Sequence, residues 1–596
     1  MRLRIILSTL VIILFIGWPL TAFLRSAPNQ PIKQNLLDSE VSIEKYIQTM
    51  LYPNTPFKDF NSDAPWVHRG GLDEQIPIIS FIKDAHLDSI GLDYVAFYRL
   101  NPEQLVAVYN PSGLVTIDSP FWYISLNNLT PNDLGLNYGD DLQIRINIRF
   151  RDQLIYHTYK YYLSIAIRGS LPQQDGWYRG DIHHHTFFTS DIFEYGGFPE
   201  FDVKAAKDIG MDWIAFTDHS YDVSASEWEN LKTTAQENST DDFIVLPGME
   251  FSVDNNNSND LVDDRVHLLG LGFDSWISGP DIVPGFDVFG SQPRVMTDIL
   301  DDIETQGGVS YAAHPLSEIT ALSNWGFIKP WSSTNYTEAF DYESFVGMEI
   351  FNRRQTSFNN TGITTDNVNP FPWSLNSNWD TEWQDGITKF NQLVGDNLDR
   401  KIFFSGGADA HGDANFETSN NYGLVDVAAN NNALGKVHTV AYLPNGLSQE
   451  NLLYALKNGH SIVSDGPLVN MSVRRSGGCS SWTVGNIGDR INYSGSDKLL
   501  ISGKSSDEFG GLETATVHII NSLGHSTENF SFSGNYDFQT LLLFSLNQTD
   551  TFAVWTEVET SLGYRSFSNP IWFNLPDSAF NYDIVDPYPV VNQNCY

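Results

Sequence analysis

The sequence predicts a multidomain α/β plus all-β protein: a seven-stranded (β/α) barrel flanked by two β-sandwich-like domains, behind an N-terminal transmembrane or signal segment. Three observations lead there. Between about residues 177 and 464, short apolar runs alternate with helical stretches, the pattern of parallel strands joined by crossover helices. On either side of that region, runs rich in Tyr, Ile, Val and Phe follow one another with turn signals between them, as in antiparallel sandwiches. An uncharged apolar run, residues 5–24, follows Arg2 and Arg4 and matches the ~20 residues a helix needs to cross a bilayer.

Taken in order, residues 1–26 read as a signal anchor or signal peptide. The positive N-terminal flank places the rest of the chain outside the cell, on the membrane or secreted. Sequons at Asn128, Asn335, Asn470, Asn492 and Asn529 fit glycosylation of an outer surface. Residues 27–63 are polar, with scattered prolines, and read as a stalk or linker. Residues 64–172 form the first sandwich-like domain, whose strand runs are separated by turns such as Asn110-Pro111-Ser112-Gly113.

The barrel spans 173–464. Its seven strand runs are 177–182, 211–216, 243–246, 267–273, 309–313, 346–351 and 401–405, and helix candidates are 198–209, 225–237, 292–305, 375–394 and 449–458. Residues 465–576 are strand-rich again and read as the second sandwich. The tail, 577–596, is rich in Pro and Asn and lies over the surface.

Composition narrows the function. The 596 residues hold 34 basic and 73 acidic side chains, a net charge of −39, which repels nucleic acid. The only two cysteines, Cys479 and Cys595, allow neither a zinc-finger scaffold nor a disulfide-dense fold, but one bridge between them suits an oxidising compartment.

The chemistry lies where the strand runs end. Gly180-Asp181-Ile182-His183-His184-His185-Thr186 puts His183 and His185 on one face of a strand and His184 on the other, so the first two are candidate ligands and His184 is not. Asp191 follows. The next runs lead into Thr217-Asp218-His219 and Gly248-Met249-Glu250, His267 opens the fourth, and the fifth and seventh reach His314-Pro315 and Asp409-Ala410-His411. Each has an ordinary alternative as a cap, turn or strand terminus. Imidazole and carboxylate groups at six strand ends are harder to explain by packing, and barrel chemistry gathers at carboxyl ends of strands.

These five motifs, in this order, resemble those of the PHP (polymerase and histidinol phosphatase) superfamily, and most closely its exported, carbaryl-hydrolase-like branch. The resemblance covers about residues 177–464. It implies a distorted seven-stranded barrel holding two or three divalent metal ions, and phosphoester hydrolysis as the activity. Carried over motif by motif, the metal ligands are His183, His185, Asp191, His219, Glu250, His267, His314, Asp409 and His411. Asp191 falls one residue later than the family's pattern places its acidic residue.

Ligands of this mixed kind, with no thiolate, suit Zn, Mn or Fe. Ions so held acidify a bridging water to hydroxide and polarise the substrate oxygen, so the nucleophile is water. The barrel contains no cysteine, and no G-x-S-x-G elbow follows a suitable strand, which argues against acyl-enzyme routes. Asp218 is a candidate for orienting a ligand or accepting the water's proton. Arg353, just past the sixth run, is a candidate phosphate clamp, since a guanidinium grips two oxygens at once. The expected substrate is a small-molecule or cell-surface phosphoester. A carbamate or carboxylic ester at the same metals is the nearer alternative, and a non-catalytic, metal-stabilised binding protein the more distant one.

Overall fold

The structure, a computed structural model, describes residues 60–83, 90–109, 114–117, 121–126, 129–152, 155–189, 196–254, 265–279, 294–316, 319–321, 325–328, 330–352, 381–411, 414–415, 433–477, 480–495, 497–543 and 550–574. The anticipated membrane or signal segment, the tail, Cys479 and Cys595 lie outside these residues. No helix among the described residues is long and apolar enough to cross a membrane.

Two sheets open the chain. One runs Val67–His68, Ile155–Ile167, Asp141–Asp152, Ile90–Arg99, Gln104–Tyr109, and the other Phe60–Asp63, Ile78–Lys83, Phe121–Leu126. Strict alternation makes the first sheet two-faced. Ile144, Ile146, Ile148 and Phe150 point into a core with Ile78, Ile82, Val95 and Phe97, while Arg145 lies over Tyr98 on the opposite face.

The central region contains strands β1 (Trp177–His185), β2 (Trp213–Phe216), β3 (Ile244–Asp254), β4 (Arg265–Leu271), β5 (Val309–Ala312), β6 (Phe345–Phe351), β7 (Phe403–Gly406), β8 (Ala410–His411), β9 (His438–Tyr442) and β10 (Ser461–Ser464). Packed against them are helices α1 (Pro199–Ile209), α2 (Ala225–Asn238), α3 (Met296–Thr305), α4 (Ser333–Ala339), α5 (Thr381–Asp396) and α6 (Gln449–Asn458). Helix α1 shows why such segments fold. Pro199 starts it where a missing N–H costs nothing, Gly210 ends it with φ 94°, and Phe201, Ala205, Ala206 and Ile209 form the buried stripe.

The (β/α)7 barrel between two separate sandwiches is corrected by this topology. Strand dominates, with 31 strands and six α-helices among the described residues. Pairs β1–β2, β2–β3, β5–β6 and β6–β7 are parallel, but β4 runs antiparallel to both β3 and β5. The physical reason is connection length. Only residues 255–264 separate β3 from β4, and a parallel return needs a crossover of a dozen residues or more.

The curled sheet brings β8 beside β1, in the register His184↔Ala410 and His185↔His411. It does not stop there. β9 pairs antiparallel with β1, β10 with β9, and β10 with Arg565–Ser568, so the central sheet runs on into strands of the last hundred residues. The second sandwich is therefore not set apart at residue 465: Val440 and Ile462 of the central region share one core with Val469, Val517 and Ile571.

Candidate metal centre

One end of the curled sheet gathers the chemistry. β1 brings His183 and His185, the turn after β2 brings His219, β3 brings Glu250, and the loop after β5 brings His314. Asp409 and His411 come from the turn into β8. His267 opens its strand, whereas the parallel strands offer their ends. Because β4 is antiparallel, its first residues lie where its neighbours finish, and Ser252 of β3 pairs with His267 in register.

These eight side chains form three overlapping groups whose ligand atoms lie within 4.8 Å of one another: His183, His185, Glu250 and Asp409; Glu250, His267 and His314; and His185, His219 and His411. Glu250 uses both oxygens. Its Oε1 lies 2.7 Å from His267 Nδ1 and 2.9 Å from His314 Nε2, and its Oε2 lies 2.9 Å from His219 Nδ1 and 3.4 Å from His185 Nε2. Asp409 Oδ1 stands 3.3 Å from His183 Nε2 and 3.2 Å from His185 Nε2.

The donor set fits divalent ions. Nε2 of His183 and Nε2 of His185 lie 3.3 Å apart, close enough for both to ligate one cation. Oε2 of Glu250 is buried between the imidazoles of His219 and His185, and a buried carboxylate oxygen calls for a positive partner. Burial opposes ionisation of Glu250, but the imidazoles of His267 and His183 outweigh it and hold its pKa well below the usual range. Asp409 is likewise held low against burial, chiefly by His183 and His185. Burial, reinforced by the neighbouring His411 and His219, pushes His185 well below its ordinary pKa, toward the neutral form that ligates.

Backbone strain marks the same place. His314 has φ 24° and Asp409 φ 53°, two of four non-glycine residues with positive φ among the described residues. Strain of this kind persists where the surroundings over-determine a conformation.

A supporting layer orients the ligands. His183 Nδ1 lies 3.3 and 3.2 Å from the two oxygens of Glu349, whose Oε2 also accepts the backbone N–H of His314 at 2.8 Å. His185 Nδ1 meets Thr189 Oγ1 at 3.0 Å, and that hydroxyl donates to Asp218 Oδ1 at 2.9 Å. His267 Nε2 rests 3.0 Å from Ser252 Oγ. Asn352 donates to Asp409 Oδ2 at 3.1 Å. Asp218 is fully buried and accepts from the backbone and hydroxyl groups of Thr186 and Thr189, so it orients His185 through Thr189.

Of the residues singled out from sequence, eight candidate ligands converge here. His184 turns away, its Nε2 3.2 Å from Asp202 Oδ2 of α1. Asp191 and Arg353 lie outside the described residues. Sequence reasoning missed Glu349, Thr189 and Asn352 as supporting groups. Glu349 had a readable signal: it is the one charge in the apolar strand Phe345–Phe351, and a charge buried in such a strand needs a partner.

No family model and no curated protein matches this chain. Solved structures of the Parabacteroides merdae β-glucuronidase are returned at 9% identity, one with TM-score 0.17, covering 87% of this chain and 65% of that one, and one with glycerol in its active site at TM-score 0.16, covering 87% and 64%. The chain thus spans somewhat under two thirds of the length of these proteins. At these TM-scores the likeness carries no argument about fold or activity.

Proposed function

We propose that this chain is a metal-dependent hydrolase acting on an ester bond, with phosphoesters as the leading substrate class. The observation that carries the reading is Glu250, whose two oxygens each face two imidazoles from different strands. A carboxylate shared in this way serves more than one ion at once. The donor chemistry, imidazole and carboxylate without thiolate, suits two or three Zn, Mn or Fe ions.

Divalent ions bound there supply Lewis acidity toward a substrate oxygen and lower the pKa of a coordinated water. The protein's own part is separate. His183, His185, Glu250 and Asp409 would hold one ion, Glu250, His267 and His314 a second, and His185, His219 and His411 a third. Glu349 and the Thr189–Asp218 pair fix imidazole orientation. Asp409 and His411, each 14% exposed at the side chain, are the most open of the ligands and mark the side from which a substrate approaches, the other six being 8% exposed or less. The choice of phosphoesters rests on the motif resemblance alone.

The test is elemental analysis of the purified protein together with turnover of phosphomonoesters, phosphodiesters, carbamates and carboxylic esters. Bound metal with metal-dependent phosphoester turnover is the expected result. Turnover confined to carbamates or carboxylic esters moves the substrate class while keeping the site. Protein that takes up no Zn, Mn or Fe overturns the reading.

A further inference from the structure

The turn that supplies His411 is held from outside the sheet. Ala414, three residues on, donates its N–H to Asp63 Oδ2 at 2.8 Å and accepts from the N–H of Trp66 at 2.7 Å. Asp63 is 1% exposed, and its Oδ1 takes the N–H of Ala64 at 2.7 Å. Asn415, the residue after Ala414, is fully buried and donates to Ser164 O at 2.8 Å and Pro65 O at 3.3 Å. Further along, Trp66 Nε1 donates to Leu434 O at 2.9 Å, and the next residue, Gly435, donates its N–H to Asp181 Oδ2 at 2.9 Å. Asp181 in turn accepts from the backbone of His183 and Ala408. Asp63, which ends the first strand of the N-terminal sheets, and Pro65 and Trp66 just after it thus grip the chain at two places downstream of His411.

His411 depends on such a grip more than its companions do. His185 and His219 are carried by β1 and the turn from β2, inside the sheet. His411 sits at the end of the two-residue strand β8, and its Nδ1 is bonded at 3.1 Å to the backbone oxygen of Asp409, within its own turn. Ala414 is three residues from His411, at most about 10 Å of chain, so where Ala414 is held limits where the ring can lie.

We infer that the N-terminal sheets are a positioning element for the metal centre: Asp63, with Trp66, pins the chain at Ala414, three residues past His411, and so sets the affinity of the His185–His219–His411 position. This rests on the metal reading above. The bonds of Asp63 and Trp66 go to Ala414 and Leu434, outside the ligand set, so both act through those residues. The carboxylate suits the task because its two oxygens accept two separate backbone N–H groups, whereas an asparagine in the same place must turn its amide toward one of them.

The experiment uses the full chain, parent and variants Asp63→Asn, Asp63→Ala, His411→Ala and the Asp63→Ala/His411→Ala pair, titrated with Zn and with Mn against a competing chelator. Melting in excess chelator checks folding. In Asp63→Asn the weakest-held ion should bind at least about tenfold less tightly, in line with the loss of a supporting contact. Asp63→Ala should approach the His411→Ala loss, and the pair should lose nothing further, while the Glu250–His267–His314 ion is retained. Folded Asp63 variants that hold every ion as the parent does overturn the inference. So does a uniform loss across all ions, or a loss in the pair equal to the sum of the single losses, since either marks general loosening. A parent chain that binds neither metal instead sinks the metal reading, and the inference with it. Should Asp63→Ala fail to fold, Asp63→Asn and Trp66→Phe, which removes the indole N–H bonded to Leu434 O and keeps an aromatic ring near Lys436, decide the matter by the same titration.

Discussion

Glu349 faces His183 Nδ1 with both of its oxygens, at 3.3 and 3.2 Å, and with one of them also accepts the N–H of His314. One buried carboxylate thus orients ligands from two different strands. Glu349→Gln should keep the fold, since the amide has the same shape, but it turns an N–H₂ group toward one of these donors. Metal affinity should fall about 10- to 100-fold, the usual cost of losing an outer partner. Chelator competition measures it, and an unchanged affinity would falsify the supporting role.

Glu250 and His267 should differ in how much they release. His267 belongs to one group of donors and Glu250 to two. Glu250→Ala is expected to lower the bound metal by at least two equivalents, and His267→Ala by about one, because only the carboxylate is shared. Elemental analysis of dialysed protein decides. Equal losses from the two variants would mean that Glu250 is not shared.

His183→Ala and His314→Ala should abolish most turnover with little change in far-UV circular dichroism, because the core of the sheet is built from apolar groups away from the ligands. Activity within about tenfold of the parent in either variant would remove that residue from the centre, where loss of a direct ligand should cost more than loss of an outer one.

Gly180 precedes the ligand strand's histidines and leaves no room for a side chain. A Cβ there would lie 2.1 Å from the ring of Trp213 and 2.4 Å from its backbone oxygen. Gly180→Ala is therefore expected to destabilise the protein by roughly 1–3 kcal/mol, as overpacking does, and chemical denaturation of the metal-free chain should show it. A stability equal to the parent's would mean that the strand yields freely.

The junction between the N-terminal sheets and α1 should respond to pH. His68 Nδ1 lies 2.6 Å from Asp208 Oδ1, both buried. Burial lowers the His68 pKa, but the Asp208 carboxylate outweighs it and leaves the value raised. Burial lifts Asp208 to about 6. A group whose folded pKa is raised stabilises the fold below its unfolded pKa and loses that contribution as pH climbs through the folded value. Both groups therefore weaken the junction as pH rises, Asp208 from about 4 to about 6 and His68 above about 6.5. Hydrogen exchange at residues 67–68 and along α1 should be faster at pH 8.5 than at pH 6 after correction for intrinsic rates, and His68→Asn should flatten the difference.

The ligands were legible because each sits where a strand meets a turn, and the backbone alternates. His183 and His185 could be paired, and His184 excluded, from the two-residue period alone. The helices were legible from their apolar stripes: α1, α2 and α6 begin within one residue of where the sequence places them. The direction of β4 was not read, though a sign of it was present. His267 opens its run where the other ligands close theirs, and no helical stretch lies between Glu250 and His267. An antiparallel strand explains both. The pairing of β10 with Arg565–Ser568 joins residues about a hundred positions apart, and no local pattern encodes that. Glu349 was passed over because its partners come from two other strands and exist only once the sheet has curled.

The continuity of the sheet across residue 465 bears on how this chain could be cut or recombined. Ser461–Ser464 is flanked by β9 on one side and by Arg565–Ser568 on the other. A protein ended at residue 465 would carry all eight ligands yet leave that strand with a bare row of N–H and C=O groups, a template for sticking to other chains. The ligand-bearing region is thus not a portable cassette. An ancestor that gained or lost its last hundred residues had to gain or lose them together with a rebuilt edge, and the shortest soluble piece of this protein that still holds its ligands should extend to about Phe573.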